Sequence, residues 1–367
     1  LTIVGRLWAP FSEDDGTSRV RNIIVRHLRV RHICRSGMSD NQCDAMRLSS
    51  QSRFVLDHVS LSWGVDETLD LWGGAHEWTI QNATFEHPCR DSSGSQGHTY
   101  GVLNRRGGRG SILRTAMVGC RDRNPALADG PFDIINMVVY NHQVGLSHHN
   151  PATGAFNVIG NYYRKGPSIG IGKPFYVGGN ATSATEPMFW FADNYLDEEA
   201  ENPFGQFDDP WLANHWLLGA DGMGDLPDTH RAAARHDYSS YGEWVPPTIV
   251  SSTDAFDLVL STAGAFPRDI VTRTAISEIR ERTGDVGCPI REQLDGNGNA
   301  SGGSHPLMDG LSAAVAPADI DDDGMADAWE TAHGLDPGNG SDHSTRMASG
   351  YTAIEVYINE LADLLVR

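Results

Sequence analysis

Short alternating apolar segments recur along the first 200 residues or so, and each ends near a His, Asn or Thr. They are NIIVRHLRV, FVLDHVSLS, WTIQNATFE, SILRTAMVG, DIINMVVYN, FNVIGNYYR and FWFADNYLD. Successive segments lie roughly 20 to 35 residues apart, which suits stacked coils joined by loops of variable length. The alternative is a β-sandwich, whose strands usually recur every 8 to 12 residues or so. The spacing therefore predicts an all-β fold, a right-handed, single-stranded parallel β-helix (solenoid) with long loops.

Seven polar residues at the segment ends mark the predicted register of the coils: His27, His58, Asn82, Thr115, Asn136, Asn161 and Asn194. Asparagines at equivalent turns would lie above one another, with each amide bonding backbone groups and the amide of the next coil. We expect these asparagines to be structural.

The composition predicts a folded domain and limits its ligands. Of the 367 residues, 40% are hydrophobic and 8% aromatic, which is enough for a sizeable core. A net charge of −20 argues against nucleic acid, because phosphate binding needs clustered Lys and Arg. The sequence contains no run of about 18 apolar residues, so it predicts no membrane-spanning helix. The chain begins at Leu1 without Met, so we expect a mature or truncated product.

The five cysteines include no CxxC pair, which argues against a zinc site. Their odd number leaves at least one free thiol. Cys34 and Cys43 are a candidate disulfide if the chain resides in an oxidising compartment.

The pattern divides the chain into three parts. Residues 1–294 form the predicted β-helix domain, of which 200–294 read mostly as loops packed on the solenoid, with a helical stretch near 275–285. Residues 295–310 are a Gly/Ser/Asn-rich linker, and 311–367 form a small helical unit.

The segment DIDDDGMADAWE near the C-terminus fits the EF-hand calcium loop, with Gly324 at the sharp turn. The coordinating positions fall on Asp319, Asp321, Asp323, the carbonyl of Met325, Asp327 and Glu330. The alternative is a solvated acidic turn that caps the following helix. The segment is similar to the Ca²⁺-binding tails of secreted bacterial polysaccharide-degrading enzymes, which points to export.

A second acidic group follows a predicted strand, in WGVDETLD. Asp57 ends that strand, and Asp66 and Asp70 lie on the route into the next coil. If the three carboxylates converge, a cation such as Ca²⁺ would offset their repulsion. The alternative is a solvated acidic edge that prevents strand pairing.

The motifs DAMRL, FVLDHVSLSWGVDETLD, HTYGVL and CRDRNPAL, in this order, resemble those of the pectate lyases of polysaccharide lyase family 1. That family consists of parallel β-helix enzymes that cleave polygalacturonate by β-elimination. The resemblance is dense over residues 1–165 and weak to about 200. It implies that Asp57, Asp66 and Asp70 hold a catalytic Ca²⁺, and that Arg123 removes the C5 proton of the uronate.

Two departures from the family pattern concern substrate contacts. Ala128 stands where the family has a second Arg, and the family's substrate-binding Lys is absent. His98 is the best-placed substitute for that Lys, and Arg90 is the alternative. Arg105, Arg106 and Arg109 are further candidates for contacts with substrate carboxylates, although a solvated loop explains them equally well.

Together these features predict an exported, monomeric, Ca²⁺-dependent lyase that acts on an acidic polysaccharide. Polygalacturonate or a related uronan is the expected substrate, and the location is secreted, periplasmic or cell-surface. One alternative is a polygalacturonase-type hydrolase, which shares the β-helix but needs paired acid and base carboxylates. Another is a non-catalytic carbohydrate-binding solenoid stabilised by Ca²⁺.

Overall fold

The computed structural model describes most of the chain: residues 1–9, 20–33, 43–90, 98–148, 154–167, 174–177, 187–198, 205–213, 218–220, 226–242, 244–288, 290, 294, 299, 305–312 and 315–366. The chain divides into two compact units, Leu1–Asp309 and Gly310–Arg367. None of the helices in these described ranges has the length and apolar character needed to span a bilayer.

The strands of the first unit form three sheets, with nine, eight and seven strands among the described residues. The nine-stranded sheet contains, in order, β1 (Thr2–Val4), β4 (Arg29–Arg31), β7 (Ser60–Ser62), β10 (Thr84–Glu86), β13 (Ala116–Val118), β16 (Val138–Tyr140), β19 (Tyr162–Arg164), β22 (Asn194–Asp197) and β23 (Gly205–Phe207). The eight-stranded sheet contains β2 (Leu7–Trp8), β5 (Met46–Arg47), β8 (Glu67–Leu71), β11 (Tyr100–Asn104), β14 (Ala126–Leu127), β17 (Leu146–His148), β20 (Phe175–Val177) and β24 (Leu218–Ala220). The seven-stranded sheet contains β3 (Arg21–Arg26), β6 (Ser52–Asp57), β9 (His76–Gln81), β12 (Gly110–Leu113), β15 (Phe132–Ile135), β18 (Gly154–Ile159) and β21 (Pro187–Ala192).

Successive strands of the chain join the three sheets in turn, so that each coil adds one strand to each sheet. Neighbouring strands are parallel, and β22 with β23 is an antiparallel exception. The predicted parallel β-helix is confirmed.

The coil register differs from the predicted one. The nine-stranded sheet aligns Arg29, Ser60, Thr84, Ala116, Val138, Tyr162 and Tyr195. Four of the predicted marks lie two residues before these positions, namely His27, His58, Asn82 and Asn136, whereas Thr115, Asn161 and Asn194 lie one residue before them. The expected single row of stacked amides is therefore wrong, because the marks mix two neighbouring positions.

The two positions have different backbone roles. His27, His58, Asn82 and Asn136 have positive φ, between 49° and 56°, and turn the chain from one sheet to the next. At the following position Asn161 and Asn194 are fully buried, and Asn161 Nδ2 donates to Asn194 Oδ1 at 2.9 Å. An amide ladder therefore exists, but only between these two coils of the seven marked.

Aromatic residues on the seven-stranded sheet stack from coil to coil in the core, as Phe54, Trp78, Phe132, Phe156 and Phe189. Gly110 interrupts this row between Trp78 and Phe132. A Cβ at Gly110 would lie 2.5 Å from the Trp78 ring, so the bulky indole needs glycine beside it.

Residues 200–294 hold more helix than the loops predicted for them. Besides the short α1 (Pro210–Ala213), they form α2 (Ser252–Thr262) and α3 (Ile270–Glu281), and α3 begins earlier than the predicted 275–285. Ser251 and Asp269 cap the two helices by accepting from the N–H groups of Asp254 and Thr272. The apolar faces of both helices pack on the nine-stranded sheet.

A disulfide joins Cys89 to Cys288, and so links a residue of the coils to the segment after α3. Cys43 is also disulfide-bonded, while Cys34, its predicted partner, lies outside the described residues. Cys120 is a buried free thiol.

The second unit contains α4 (Asp327–His333) and α5 (Ala353–Leu365). Met325, Ala326, Ala353 and Tyr357 form its small core. Thr352 and Glu355 close a capping box at the start of α5.

Candidate active site

Four consecutive strands of the eight-stranded sheet, β5, β8, β11 and β14, bring the candidate residues together. Parallel pairing sets Tyr100 beside Glu67 and Leu103 beside Asp70. On the other side of β8, Arg47 pairs with Asp70. Because neighbouring strands lie about 4.8 Å apart, side chains that are distant in sequence share one surface.

Carboxylates gather at the start of β8. One carboxylate oxygen from each of Asp44, Asp66 and Glu67 lies within 4.8 Å of the other two. Burial raises the pKa of Asp44, and the nearby Asp70 and Asp66 raise it further. Burial also raises the pKa of Asp66 and brings that of Asp70 to about 6. These carboxylates would be stabilised by a cation, and an all-oxygen set suits Ca²⁺.

Arg47 partly balances this charge. Its Nε lies 2.9 Å from an Asp70 carboxylate oxygen, and its Nη1 lies 3.9 Å from Asp44. One guanidinium serves two carboxylates, so the acidic group as a whole keeps an excess of negative charge.

Arg123 reaches the same surface from the segment before β14. Its guanidinium forms an ion pair with Glu67 and lies 3.8 Å from the centroid of the Tyr100 ring. Burial lowers the pKa of Arg123, whereas the charges of Asp66 and Asp44 raise it. Arg123 therefore stands beside the carboxylates with one face of its guanidinium fixed by an aromatic ring.

His98 also borders the carboxylates. Its Nδ1 lies 3.0 Å from an Asp66 oxygen, and its ring stacks on Tyr100 with the centroids 5.2 Å apart. The structure thus brings together Asp66, Asp70, His98 and Arg123.

Asp57 does not join this group, so its predicted convergence with Asp66 and Asp70 is wrong. Asp57 ends β6 in the seven-stranded sheet, and the chain then turns at His58 and runs through β7 before it enters β8. Donors surround the Asp57 carboxylate: Arg26 Nε at 2.8 Å, Gln81 Nε2 at 3.0 Å and Asn82 Nδ2 at 3.2 Å, with His58 Nδ1 at 3.0 Å. Hydrogen bonding and the charges of His58 and Arg26 hold the pKa of Asp57 low against the opposing effect of burial. This carboxylate is fully used within its own sheet.

Two residues of the acidic group, Asp44 and Glu67, were not predicted as site residues. Asp44 precedes the short strand β5, and its Oδ1 accepts the Glu67 N–H at 3.2 Å. The sequence signal for Asp44 is the motif DAMRL, because it contains β5, the strand that pairs with β8. Glu67 is buried, and buried acidic residues rarely lack a partner.

The other arginines take varied positions. Arg105 stacks over the Trp72 ring at 4.1 Å, at the end of β8 that carries Asp70. Arg109 pairs with Glu77 at 2.9 Å, and Arg90 lies 3.8 Å from Asp285. Arg106 is exposed, and its backbone has a φ of 57°.

Ala128, which replaces the second Arg of the family motif, is fully buried. A charged side chain at this position would need a different local packing.

The acidic loop of the second unit gathers carboxylates that could hold a metal ion. Carboxylate oxygens of Asp319, Asp321 and Asp323 lie within 4.8 Å of one another. Asp319 Oδ2 accepts the Gly324 N–H at 3.0 Å, and Gly324 has a φ of 95°, which glycine adopts most readily. Glu330 is fully buried, and its burial close to Asp321 and Asp323 raises its pKa to about 7.

Asp327 and Met325 are the two other predicted loop positions. Asp327 lies at the first residue of α4, and its Oδ1 accepts the Ile320 N–H at 2.9 Å. The Met325 side chain is buried in the small core, and the role of its carbonyl stays a prediction.

Known proteins with similar sequences match nearly the whole chain. It is 28% identical over 365 residues to a probable pectate lyase C of Aspergillus flavus, with 98% of this chain and 75% of that protein covered. A probable pectate lyase C of Aspergillus terreus is 29% identical over 370 residues, with the same coverage. The chain resembles pectate lyases over nearly its whole length. No protein-family model matches it.

Solved pectate lyase structures are also similar to this chain. A thermostable pectate lyase has a TM-score of 0.45 and 15% identity, with 72% of this chain and 65% of that chain covered. A pectate lyase bound to a hexasaccharide has a TM-score of 0.45 and 12% identity, with 72% and 67% covered.

Proposed function

We propose that this chain is a polysaccharide lyase that cleaves pectate or a related polyuronate by β-elimination, with Ca²⁺ as cofactor. The observation that carries the proposal is the position of Arg123 beside the carboxylates of Asp44, Asp66 and Glu67, two of which are buried. The pectate lyase relatives, which match 98% of the chain, support the same substrate class.

Asp44, Asp66 and Asp70 are the proposed Ca²⁺ ligands. All three are mostly buried, and burial raises their pKa values, which means that the unliganded carboxylates lack sufficient compensation. Glu67 is committed to Arg123 and is the member of the group left out of this set. Bound Ca²⁺ would stabilise the negative charge that develops on the uronate carboxylate as the C5 proton leaves.

Arg123 is the proposed base. Guanidinium groups normally stay protonated, so a lowered pKa is required, and burial acts in this direction at Arg123. The opposing contribution comes from Asp66 and Asp44, two of the proposed ligands, whose charge a metal would offset. We expect activity to rise towards alkaline pH for this reason.

The proposed reaction is a β-elimination at C4 and C5 of the uronate. Arg123 takes the proton from C5, the C5–H electron pair forms the C4=C5 double bond, and the C4–O glycosidic bond breaks. The leaving oxygen takes a proton from solvent, and the new chain end carries an unsaturated uronate.

Substrate contacts are proposed at the two ends of the acidic strand. His98 borders Asp66, and Arg105 lies over Trp72 just beyond Asp70. An aromatic ring covered by a guanidinium offers both a stacking surface for a sugar and a positive charge for its carboxylate. The roles of Arg90 and Arg106 stay predictions.

Export and a second Ca²⁺ in the C-terminal loop complete the proposal. The Cys89–Cys288 disulfide supports an oxidising compartment outside the cytoplasm. The Asp319, Asp321 and Asp323 side chains, together with the buried Glu330, support a loop that binds Ca²⁺ and is stabilised by it.

The experiment that tests the activity is a spectroscopic assay on polygalacturonate, alginate and glucuronan. A lyase produces a C=C bond conjugated with the carboxylate and so a rise in ultraviolet absorbance, which should stop with a chelator and return with added Ca²⁺. New reducing ends without this rise would instead indicate a hydrolase, and binding without either product would indicate a non-catalytic solenoid.

A further inference from the structure

One carboxylate near the C-terminal loop lies outside the predicted loop positions. Asp342 belongs to a short 3₁₀ helix, Asp342–Ser344, which follows α4. A carboxylate oxygen of Asp342 lies within 4.8 Å of oxygens from Asp323 and Glu330. The side chain therefore faces the inside of the acidic loop, although it lies 12 residues after Glu330 in the sequence and outside the standard loop of about 12 residues.

Hydrogen bonds orient Asp342 and leave one of its oxygens unused. Oδ2 accepts the Asp336 N–H at 2.9 Å, which fixes the carboxylate plane. Oδ1 is buried and has no hydrogen-bond partner among the described residues, although only 8% of the residue is exposed.

Glu330 is in the same condition. It is fully buried, and neither of its carboxylate oxygens has a hydrogen-bond partner in the described part of the chain. Unpaired buried carboxylates are costly, and those of Glu330 and Asp342 converge on one point. This is the arrangement expected of ligands for a cation.

Asp327, which occupies loop position 9, is used elsewhere. Its Oδ1 caps the loop by accepting the Ile320 N–H at 2.9 Å. It also belongs to neither of the carboxylate groups that surround Asp323 in the described residues.

We propose that Asp342, and not Asp327, completes the metal site of the C-terminal unit, so that one Ca²⁺ is held by the loop and by a carboxylate from the segment after α4. The inference rests on the Ca²⁺ loop proposed above and concerns its ligands. Close packing of the two segments supports it, since a Cβ added at Gly340 would lie 3.3 Å from the Asp321 carbonyl oxygen. Ca²⁺ would therefore tie the segment after α4 to the loop.

The test uses the full-length protein and Tb³⁺ as a luminescent substitute for Ca²⁺. Trp329 lies within the loop segment and can sensitise Tb³⁺ bound there, so the signal that disappears in Trp329→Phe reports this site alone. We expect Asp342→Asn to weaken the affinity for Tb³⁺ by about tenfold or more, because a charged ligand is lost. The affinity for Ca²⁺, measured by displacement of Tb³⁺, should fall by a similar factor. Asp327→Asn should change the affinity much less, and Asp363→Asn, a charge-matched control on α5, should leave it unchanged.

Circular dichroism at saturating Ca²⁺ separates binding from folding. Asp342→Asn should recover the wild-type spectrum when Ca²⁺ is in excess. The assignment is overturned if Asp342→Asn binds like the wild type, if Asp327→Asn weakens binding more strongly, or if Asp342→Asn stays unfolded at every Ca²⁺ concentration. Absence of any Trp329-dependent signal in the wild type overturns it as well. The lyase assay on polygalacturonate remains independent of all these outcomes.

Discussion

Asp44 and Asp57 show how the surroundings decide the role of an aspartate. Both are almost fully buried. Asp57 receives hydrogen bonds from Arg26, Gln81 and Asn82, and its pKa falls. Asp44 lies beside Asp66 and Asp70, and its pKa rises. The first carboxylate is satisfied within the fold, and a cation would stabilise the second.

This difference predicts that two similar substitutions differ in their effect on the Ca²⁺ requirement. Asp44→Asn should raise the Ca²⁺ concentration needed for half-maximal activity by about tenfold or more, because a charged ligand is lost. Asp57→Asn should leave that concentration unchanged. Initial rates on polygalacturonate across a Ca²⁺ titration measure both, and a larger effect of Asp57→Asn would show that the ligand set is wrong.

The low pKa of Asp57 also predicts a pH dependence of stability. A carboxylate whose pKa is depressed in the folded state stabilises the fold above its unfolded pKa, here 3.8, and loses that contribution as pH falls. Asp57→Asn should therefore lower the free energy of unfolding at pH 7 by about 1.5 to 3 kcal/mol. Thermal unfolding at pH 7 and at pH 3 should show a smaller difference between variant and wild type at the acid pH. A difference that grows towards acid pH would contradict this assignment.

At the scale of elements, strand periodicity made the coils predictable, whereas the route of the chain between sheets did not follow from it. The repeat of alternating segments indicates parallel coils but not which sheet a given strand end joins. Asp57 and Asp66 are close in sequence, yet β7 lies between them. Asp57 ends β6 of the seven-stranded sheet, and Asp66 immediately precedes β8 of the eight-stranded sheet. Asp44 is distant in sequence and reaches Asp66 because β5 pairs with β8. Site residues on one short stretch of chain, such as Asp66 just before β8 and Asp70 within it, could be found from sequence. Those joined across coils needed the register.

Helix α3 shows another contact that sequence patterns do not reveal. Arg31 of β4 is completely buried and pairs with Asp269, the N-cap of α3, at 2.7 Å and with Glu86 of β10 at 3.1 Å. The ion pair joins residues that are 238 positions apart. It anchors the helical segment to the nine-stranded sheet.

Loss of this buried arginine should be costly. Arg31→Ala leaves two buried carboxylates without their cation, and we expect the free energy of unfolding to fall by about 3 to 5 kcal/mol. The exposed pair of Arg109 with Glu77 is the control, and Arg109→Ala should cost about 1 kcal/mol or less. Denaturant titrations of both variants test this, and equal losses would rule out a special role for the buried network.

At the scale of the whole molecule, a chain with a net charge of −20 is proposed to bind a polyanion. The structure offers a means, because carboxylates in the described part of the chain gather both on the β-helix and in the C-terminal unit. A cation bound at the β-helix group would reverse the local charge at the proposed uronate site. A cation bound at the C-terminal group would stabilise a unit whose core is small.

Arg123 is proposed to act as the base of a Ca²⁺-dependent elimination beside Asp44, Asp66 and Asp70. The most direct measurement is the initial rate of ultraviolet absorbance increase on polygalacturonate at saturating Ca²⁺, for the wild type and for Arg123→Ala. We predict a Ca²⁺-dependent rise for the wild type and a rate about 10² to 10⁴ times lower for the variant, with Ca²⁺ binding retained. A variant that keeps a rate close to that of the wild type, or a wild type that shows no rise, would contradict the claim.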